Sequence, residues 1–326
     1  MMQEAPQSSY EEAYVDVNGA RVHYLHAGTG PPMLLIHGLV GSSENWRNNI
    51  ATLARNASVY AIDLVNMGKS QRIDGLDSGL RATAHRIVAI MDALGLAAAD
   101  IVAHSHGGSV ALMLAALYPT RVRRLILFAP ANPYSRASDR MVRVYSSPFG
   151  IVLGRLIPYF PAPVQRLALG EGYGSPDRVA DHSLQEIVDG LRSPATLRHV
   201  LSIIRCWFSE MDRLRYALRR VTRTPILLVW GDHDGTVSLA SGIRLKRKLR
   251  TKLIVVPGGG HTVFEERPEE ANQIMLEWLA RHPLAAPLAS AAHVSLASRP
   301  RRVSRFAAKA RTTPAIRRLS PETSGD

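Results

Sequence analysis

The stretch "IVAHSHGGSVALM", Ile101 to Met113, decides the fold. An apolar run ends at a serine between two histidines, and a second apolar run follows two glycines. A strand turning sharply into a helix accounts for this order. Ala103-His104-Ser105-His106-Gly107 has the form small-x-Ser-x-small. A residue on such a turn adopts strained dihedrals, and bulky side chains two before or two after would collide with it. Small residues at 103 and 107 relieve that crowding, and Gly108 lets the helix pack closely on the strand. Ser105 then stands at a helix N-terminus, where N–H groups and the dipole favour developing negative charge.

Outward from this turn, strands and helices alternate. "AYVDVNGARVHYLHAG" alternates around Asn18-Gly19, a strong hairpin signal. "PMLLIHG" (32–38) and "ASVYAID" (57–63) are buried strands, and "TAHRIVAIMDALG" (83–95) has helical spacing ended by glycine. "DIVAHS", "GSVALMLAALYP" and "RRLILFAP" continue as strand, helix and strand. The pattern lapses from Asn132 to Arg223, which is proline-rich and helical or irregular, then returns with "TPILLVWG", "SGIRLKRKL", "KLIVVPG" and "PEEANQIMLEWLAR". The fold class expected is α/β: a doubly wound, mostly parallel sheet with an N-terminal β-hairpin and a helical insertion. The domains follow: a disordered N-terminus 1–12, core 13–131, insertion 132–223, core 224–282, and a basic disordered tail 283–326.

A chain of 326 residues, 46% apolar, has ample material for a core. Its one cysteine, Cys206, excludes an internal disulfide framework and a Cys-rich metal site, and fits a reducing compartment. Cys206 sits on "SIIRCWF" and is expected to be a buried small hydrophobe. The polar, acidic start is unlike a secretory signal, and no apolar run reaches the roughly 18–20 residues of a membrane span. A cytoplasmic setting is expected. The formal charge of +13 owes much to the tail, where eight Lys/Arg face two acids. The tail lacks interleaved aromatics, so no specific nucleic acid is expected, only weak contact with an anionic surface. The oligomeric state is left open.

Neither histidine beside Ser105 is placed to reach its hydroxyl, because residues flanking a turn diverge from it. A base must come from another loop at the same sheet edge. In "VPGGGHTVFEERP", His261 follows a strand and a glycine-rich loop. "VWGDHDGTV" supplies an acid, and Asp234, three past Gly231, is favoured over Asp232, one past it.

The order Ser105, Asp234, His261, with "LLIHGLVGSSENW" near the start, resembles the α/β-hydrolase superfamily in its branch with a helical cap, over about Ala13 to Arg281. The resemblance implies that Ser105 is the nucleophile, His261 the general base and acid, and Asp234 its orienting carboxylate. It implies an oxyanion loop at His37-Gly38, with the backbone N–H groups of Leu39 and His106 forming the hole. "DLVNMGKS" (63–70) resembles the family's Asp-x-x-Gly-x-Gly-x-Ser segment, with Asn66 where glycine is usual. His37 and His104 are expected to be structural, His106 to serve through its amide with a ring that could line the pocket, and His233 to be solvated. No metal and no cofactor are expected: "DHD" has no second cluster at ligand spacing.

Such a triad performs acyl transfer. Relatives that attack carbon with an aspartate are excluded by serine at 105. Small or medium acyl esters are the expected substrates. The alternative is carbon–carbon hydrolysis of ring-cleavage diketo acids, whose relatives bind a carboxylate with an arginine and often carry an aromatic where Thr262 stands. A third possibility is a ligand-binding module that lost catalysis. Pocket residues are sought in the insertion: it holds fourteen arginines and eight acids, with Phe149, Tyr159, Phe160, Trp207 and Phe208 interspersed. Arg205 and Trp207 are the candidates for substrate contact.

Overall fold

The computed structural model describes residues 10–135, 142–170 and 181–283. Eight strands form one sheet: β1 (Glu11–Val17), β2 (Ala20–Ala27), β3 (Pro32–Ile36), β4 (Ser58–Ile62), β5 (Ala99–His104), β6 (Val122–Phe128), β7 (Ile226–Gly231) and β8 (Lys252–Val256). Their order is β1-β2-β4-β3-β5-β6-β7-β8. β1 pairs antiparallel with β2 and β2 antiparallel with β4, while the other pairings are parallel. Val17 pairs with Ala20 across Asn18-Gly19, as the hairpin signal requires. The first strand starts earlier than expected. Glu11 and Glu12 pair with His26 and Leu25, so the ordered core begins before residue 13. Alternation of apolar residues marks only one face of such an edge strand, so its end is poorly marked.

Side chains alternate across the sheet, and each face has its own core. Leu34, Ile36, Ile101, Ala103, Leu125 and Leu127 join one cluster with α2 (Leu80–Ala93) and α3 (Ser105–Leu117). Leu35, Val102, Ile126 and Phe128 join the other, with α1 (Arg47–Leu53) and the C-terminal helix Pro268–Arg281. Helices on both faces make the sheet doubly wound. α3 is apolar all round and buried from His106 to Ala116, so it stays helical while enclosed by protein.

Between β6 and β7 the described residues form helices and no strand: α4 (Pro148–Leu156), α5 (Ala162–Gly170), α6 (Asp181–Arg192) and α7 (Pro194–Ala217). α8 (Leu239–Leu249), the short α9 (Val263–Glu266) and α10 (Pro268–Arg281) complete the chain order. Core and insertion fall in one compact unit. Of the segments expected to be disordered, 1–12 and 283–326, residues 1–9 and 284–326 lie outside the described residues. No helix among the described residues is long and apolar enough to cross a membrane.

Candidate active site

The chain leaves β3 toward β4 on one side and returns to β5 on the other, so the loops after β3 and β5 part at their carboxyl ends. That divergence makes a crevice. Backbone strain gathers at the same edge. Val40, Asn66, Ser105 and Ala129 all have φ between 40 and 71°, and each follows the end of β3, β4, β5 or β6 by one to four residues. Left-handed conformations at non-glycine residues persist only where the surroundings enforce them, and they collect at functional sites.

Ser105, φ 51°, turns from β5 directly into α3. A side chain at Gly107 would meet the carbonyl oxygens of His37 and Ile36 at 2.3 and 2.8 Å. The smallness required at 107 therefore comes from the end of β3 pressing on the turn, more than from the serine. Gly108 lies against Pro130 after β6. His261 Nε2 stands 2.9 Å from Ser105 Oγ, and its Nδ1 2.8 Å from Asp234 Oδ2. An ionised carboxylate only accepts, so Nδ1–H donates to Asp234 and Nε2 is free to accept from the Ser105 hydroxyl. The N–H groups of Thr236 and Val237 donate to Asp234 Oδ1 at 2.9 and 2.8 Å, fixing a fully buried carboxylate.

Asp232 is turned away and accepts from Gly258 N–H at 2.6 Å. The two loops meet because Gly231 has no side chain: a Cβ there would lie 2.1 Å from the Gly259 carbonyl oxygen. His233 N–H donates to that same oxygen at 2.9 Å, while the His233 ring is exposed.

Two positioning residues were not foreseen. His104 does more than pack: its ring lies 4.5 Å from the His261 ring, and its Nε2–H donates to the His261 carbonyl at 3.2 Å. Burial, with His261 alongside, drives its pKa well down, so it stays a neutral donor. Glu266 straddles the histidine, accepting from Gly260 N–H at 2.8 Å and Thr262 N–H at 3.0 Å. The signal for it was an acid four residues after a threonine at a helix start, a variant of the capping box.

The loop after β3 runs close to the serine. A side chain at Gly38 would meet Ser105 Cβ at 3.2 Å, so Leu39 begins immediately beside the nucleophile candidate. His37 is buried, donates Nδ1–H to the Gly38 carbonyl at 2.7 Å and accepts Leu64 N–H at 3.0 Å. Asn66 takes the place of glycine at φ 71°, a region Asn tolerates. Its side chain accepts Ile73 N–H at 2.5 Å and donates to the Ile73 carbonyl at 3.0 Å, which pins the loop in this conformation.

Helix α6 is tied to the segments that follow β3 and β8. Ser42 Oγ donates to Glu186 at 3.0 Å. Arg47 donates to Glu265 at 2.8 Å and to Ser183 Oγ at 3.2 Å, and Ser183 donates to Glu265. Burial, with Glu44 and Asp63 nearby and only Ser42 and Arg47 opposing, pushes Glu186 up to about 7.

Three expected placements are corrected. Arg205 is exposed on α7, because the face of that helix turned inward carries His199, Ile203 and Trp207, about half a turn of phase away. Trp207 is 5% exposed and belongs to the large core cluster, so it is a packing residue. Phe149 and Tyr159 are 75% and 70% exposed and stand on the surface. The His106 ring instead lines a cavity of about 10 Å³ with His199, Leu64, Met67 and Ile203. Burial, with His199 and His37 nearby, holds His106 down at about 3, so it is neutral. Cys206 is half-buried, within 3.7 Å of Ser78 Oγ, and burial raises its thiol pKa.

The sequence profile described as alpha/beta hydrolase fold matches residues 31–153. The chain is 30% identical over 275 residues to the dihydrolipoyllysine-residue acetyltransferase component of the acetoin cleaving system of Pseudomonas putida, covering 82% of this chain and 69% of that one. It is 26% identical over 290 residues to the 2-hydroxy-6-oxo-6-(2'-aminophenyl)hexa-2,4-dienoic acid hydrolase of Metapseudomonas resinovorans (85% and 94% covered). It is 27% identical over 257 residues to the pimeloyl-[acyl-carrier protein] methyl ester esterase of Nitrosomonas europaea (77% and 96% covered). A doubly wound sheet, a strained serine after its fifth strand and relatives of this kind agree: the chain is a hydrolase and belongs to the α/β-hydrolase family.

Proposed function

We propose that the chain is a serine carboxylesterase acting on small or medium acyl esters. The observation that carries this reading is the continuous line Asp234–His261–Ser105, with spacings of 2.8 and 2.9 Å. Ser105 Oγ attacks the ester carbonyl carbon as His261 Nε2 takes the hydroxyl proton. The carbonyl oxygen becomes an anion held by the Leu39 and His106 N–H groups, worth roughly 3–4 kcal/mol per donor in such sites. Collapse breaks the C–O bond to the leaving alcohol, which takes the proton from His261. A water, deprotonated by His261, then releases the acid and restores Ser105. Asp234 keeps Nδ1–H bonded throughout and stabilises the transient imidazolium. Helices α4 to α7 act as the cap over the site, and the lone cysteine supports a cytoplasmic setting.

The diketo-acid reading is the second one, favoured by the Metapseudomonas relative. It needs a cation for the substrate carboxylate, and the arginine chosen for that, Arg205, faces outward. The Thr262 hydroxyl, where those enzymes often carry an aromatic, donates to Glu266 at 3.1 Å.

The test is turnover of p-nitrophenyl acetate and butyrate beside a vinylogous diketo acid, on wild type and Ser105→Ala. Ester cleavage that falls at least about 10³-fold in Ser105→Ala is expected. Cleavage of the diketone alone reverses the order of the two readings. A folded protein that a fluorophosphonate leaves unlabelled is a binding module.

A further inference from the structure

Twelve large apolar side chains are exposed among the described residues, and seven of them lie between 144 and 167. On α4, Phe149, Val152 and Leu156 are spaced three and four apart, so they share one stripe. Tyr159 is exposed in the following turn, and on α5 Val164 and Leu167, three apart, share a second exposed stripe. The turn is held firmly: Gln165 donates to the carbonyls of Pro158 and Phe160 at 3.1 and 2.8 Å. Arg192 of α6 also donates to Pro158. Apolar groups presented on a braced scaffold mark an interaction surface.

Charge identifies the partner. Residues 142–170 contain Arg143, Arg155 and Arg166 and not one Asp or Glu. Arg143 stacks over Phe208 of α7, extending the mixed surface. A second copy would bring the same arginine-bearing segment, itself without an acid, against this one, in a chain of net charge +13. The basic segment 283–326 carries the same sign, so charge does not single it out as the occupant. A lipid leaflet meets both demands at once, since acyl chains take the apolar stripe while phosphates take the guanidinium heads. Tyrosine suits the boundary between them.

We propose that the face formed by α4 and α5 docks on an anionic phospholipid surface, with Phe149, Leu156 and Leu167 entering the acyl boundary. This contact is separate from any adhesion of the basic tail, and it does not depend on which bond the site cleaves.

The test uses the full chain and vesicles of phosphatidylcholine containing about 30% phosphatidylglycerol. Wild type is expected to cosediment with them, and to keep part of that binding at about 0.5 M salt, where charge contacts are screened. The variant F149S/L156S/L167S is expected to bind at least roughly tenfold more weakly. Circular dichroism and a thermal melt check its fold. Phe149→Trp gives a second, independent measure. The four native tryptophans are at most 5% exposed, so the new indole is the exposed one, and its emission should shift to the blue on vesicles and be quenched by brominated acyl chains. Cosedimentation without that shift means the tail binds by charge alone, and the proposal fails. It fails equally if wild type does not bind, or if the triple variant changes only self-association.

Discussion

His104 shows how one side chain can govern a site without touching a reacting atom. Its Nε2–H holds the backbone of His261, and its ring lies between the His261 and Phe264 rings, at 4.5 and 5.0 Å. His104→Phe keeps the ring and removes the donor. The carbonyl of His261 then loses its buried partner, which costs about 1–3 kcal/mol of stability. The imidazole above it loosens, and small misplacements of catalytic groups cost up to about 100-fold. The expected outcome is a 10- to 100-fold fall in kcat for p-nitrophenyl acetate with KM little changed. A purely structural role would lower the melting temperature and leave kcat of the folded protein alone. Ser105, Asp234 and His261 were legible in the sequence because each stands just after a strand, with glycines beside it. His104 and Glu266 were not, because their roles depend on rings and carboxylates meeting across elements; His104 and His261 are 157 residues apart.

At the scale of elements, α6 touches the segments after β3 and β8, and Glu186 is its titrating contact. Facing its carboxyl are Ser42, Glu44, Arg47 and Asp63 from the core, with the exposed His182 at 3.9 Å on its own helix. Its pKa is raised from the usual 4.5 to about 7, so between those values the folded state holds a proton that the unfolded state has released. Stability from this group is therefore fully present below about pH 4.5 and is lost as pH rises through about 7. Glu186→Gln cannot titrate. The difference in stability between pH 5 and pH 8 should shrink in the variant by on the order of 1–3 kcal/mol, read from urea melts at each pH. An unchanged difference would mean that Glu186 is ionised across the range. The phase of α7 shows the limit of the sequence at this scale. "RCWF" offers Arg205 and Trp207 two residues apart, which is nearly opposite sides of a helix, and only the packed structure tells which side faces in.

Across the whole molecule, the insertion completes the core. α2 was expected from Thr83 but starts at Leu80, where its N-cap, Gly79, has no side chain to offer. The missing acceptor comes from 130 residues further on: Leu80 N–H donates to Glu210 Oε2 of α7 at 2.8 Å. No local signal could have revealed that start. The Glu210 side chain is 5% exposed, its other oxygen accepts from Arg213 at 2.6 Å, and a carboxylate at a helix N-terminus meets the positive end of the dipole. Thr196 adds a second tie, donating to the Asn66 carbonyl at 2.8 Å. With such bonds crossing the boundary, core and insertion should unfold together, in one transition. Glu210→Gln preserves shape and removes charge, so the guanidinium midpoint should fall by the equivalent of about 1–2 kcal/mol with the m-value unchanged. Two transitions in wild type, the first sensitive to Glu210→Gln and the second not, would instead mean that α4 to α7 fold apart from the sheet and only rest on it.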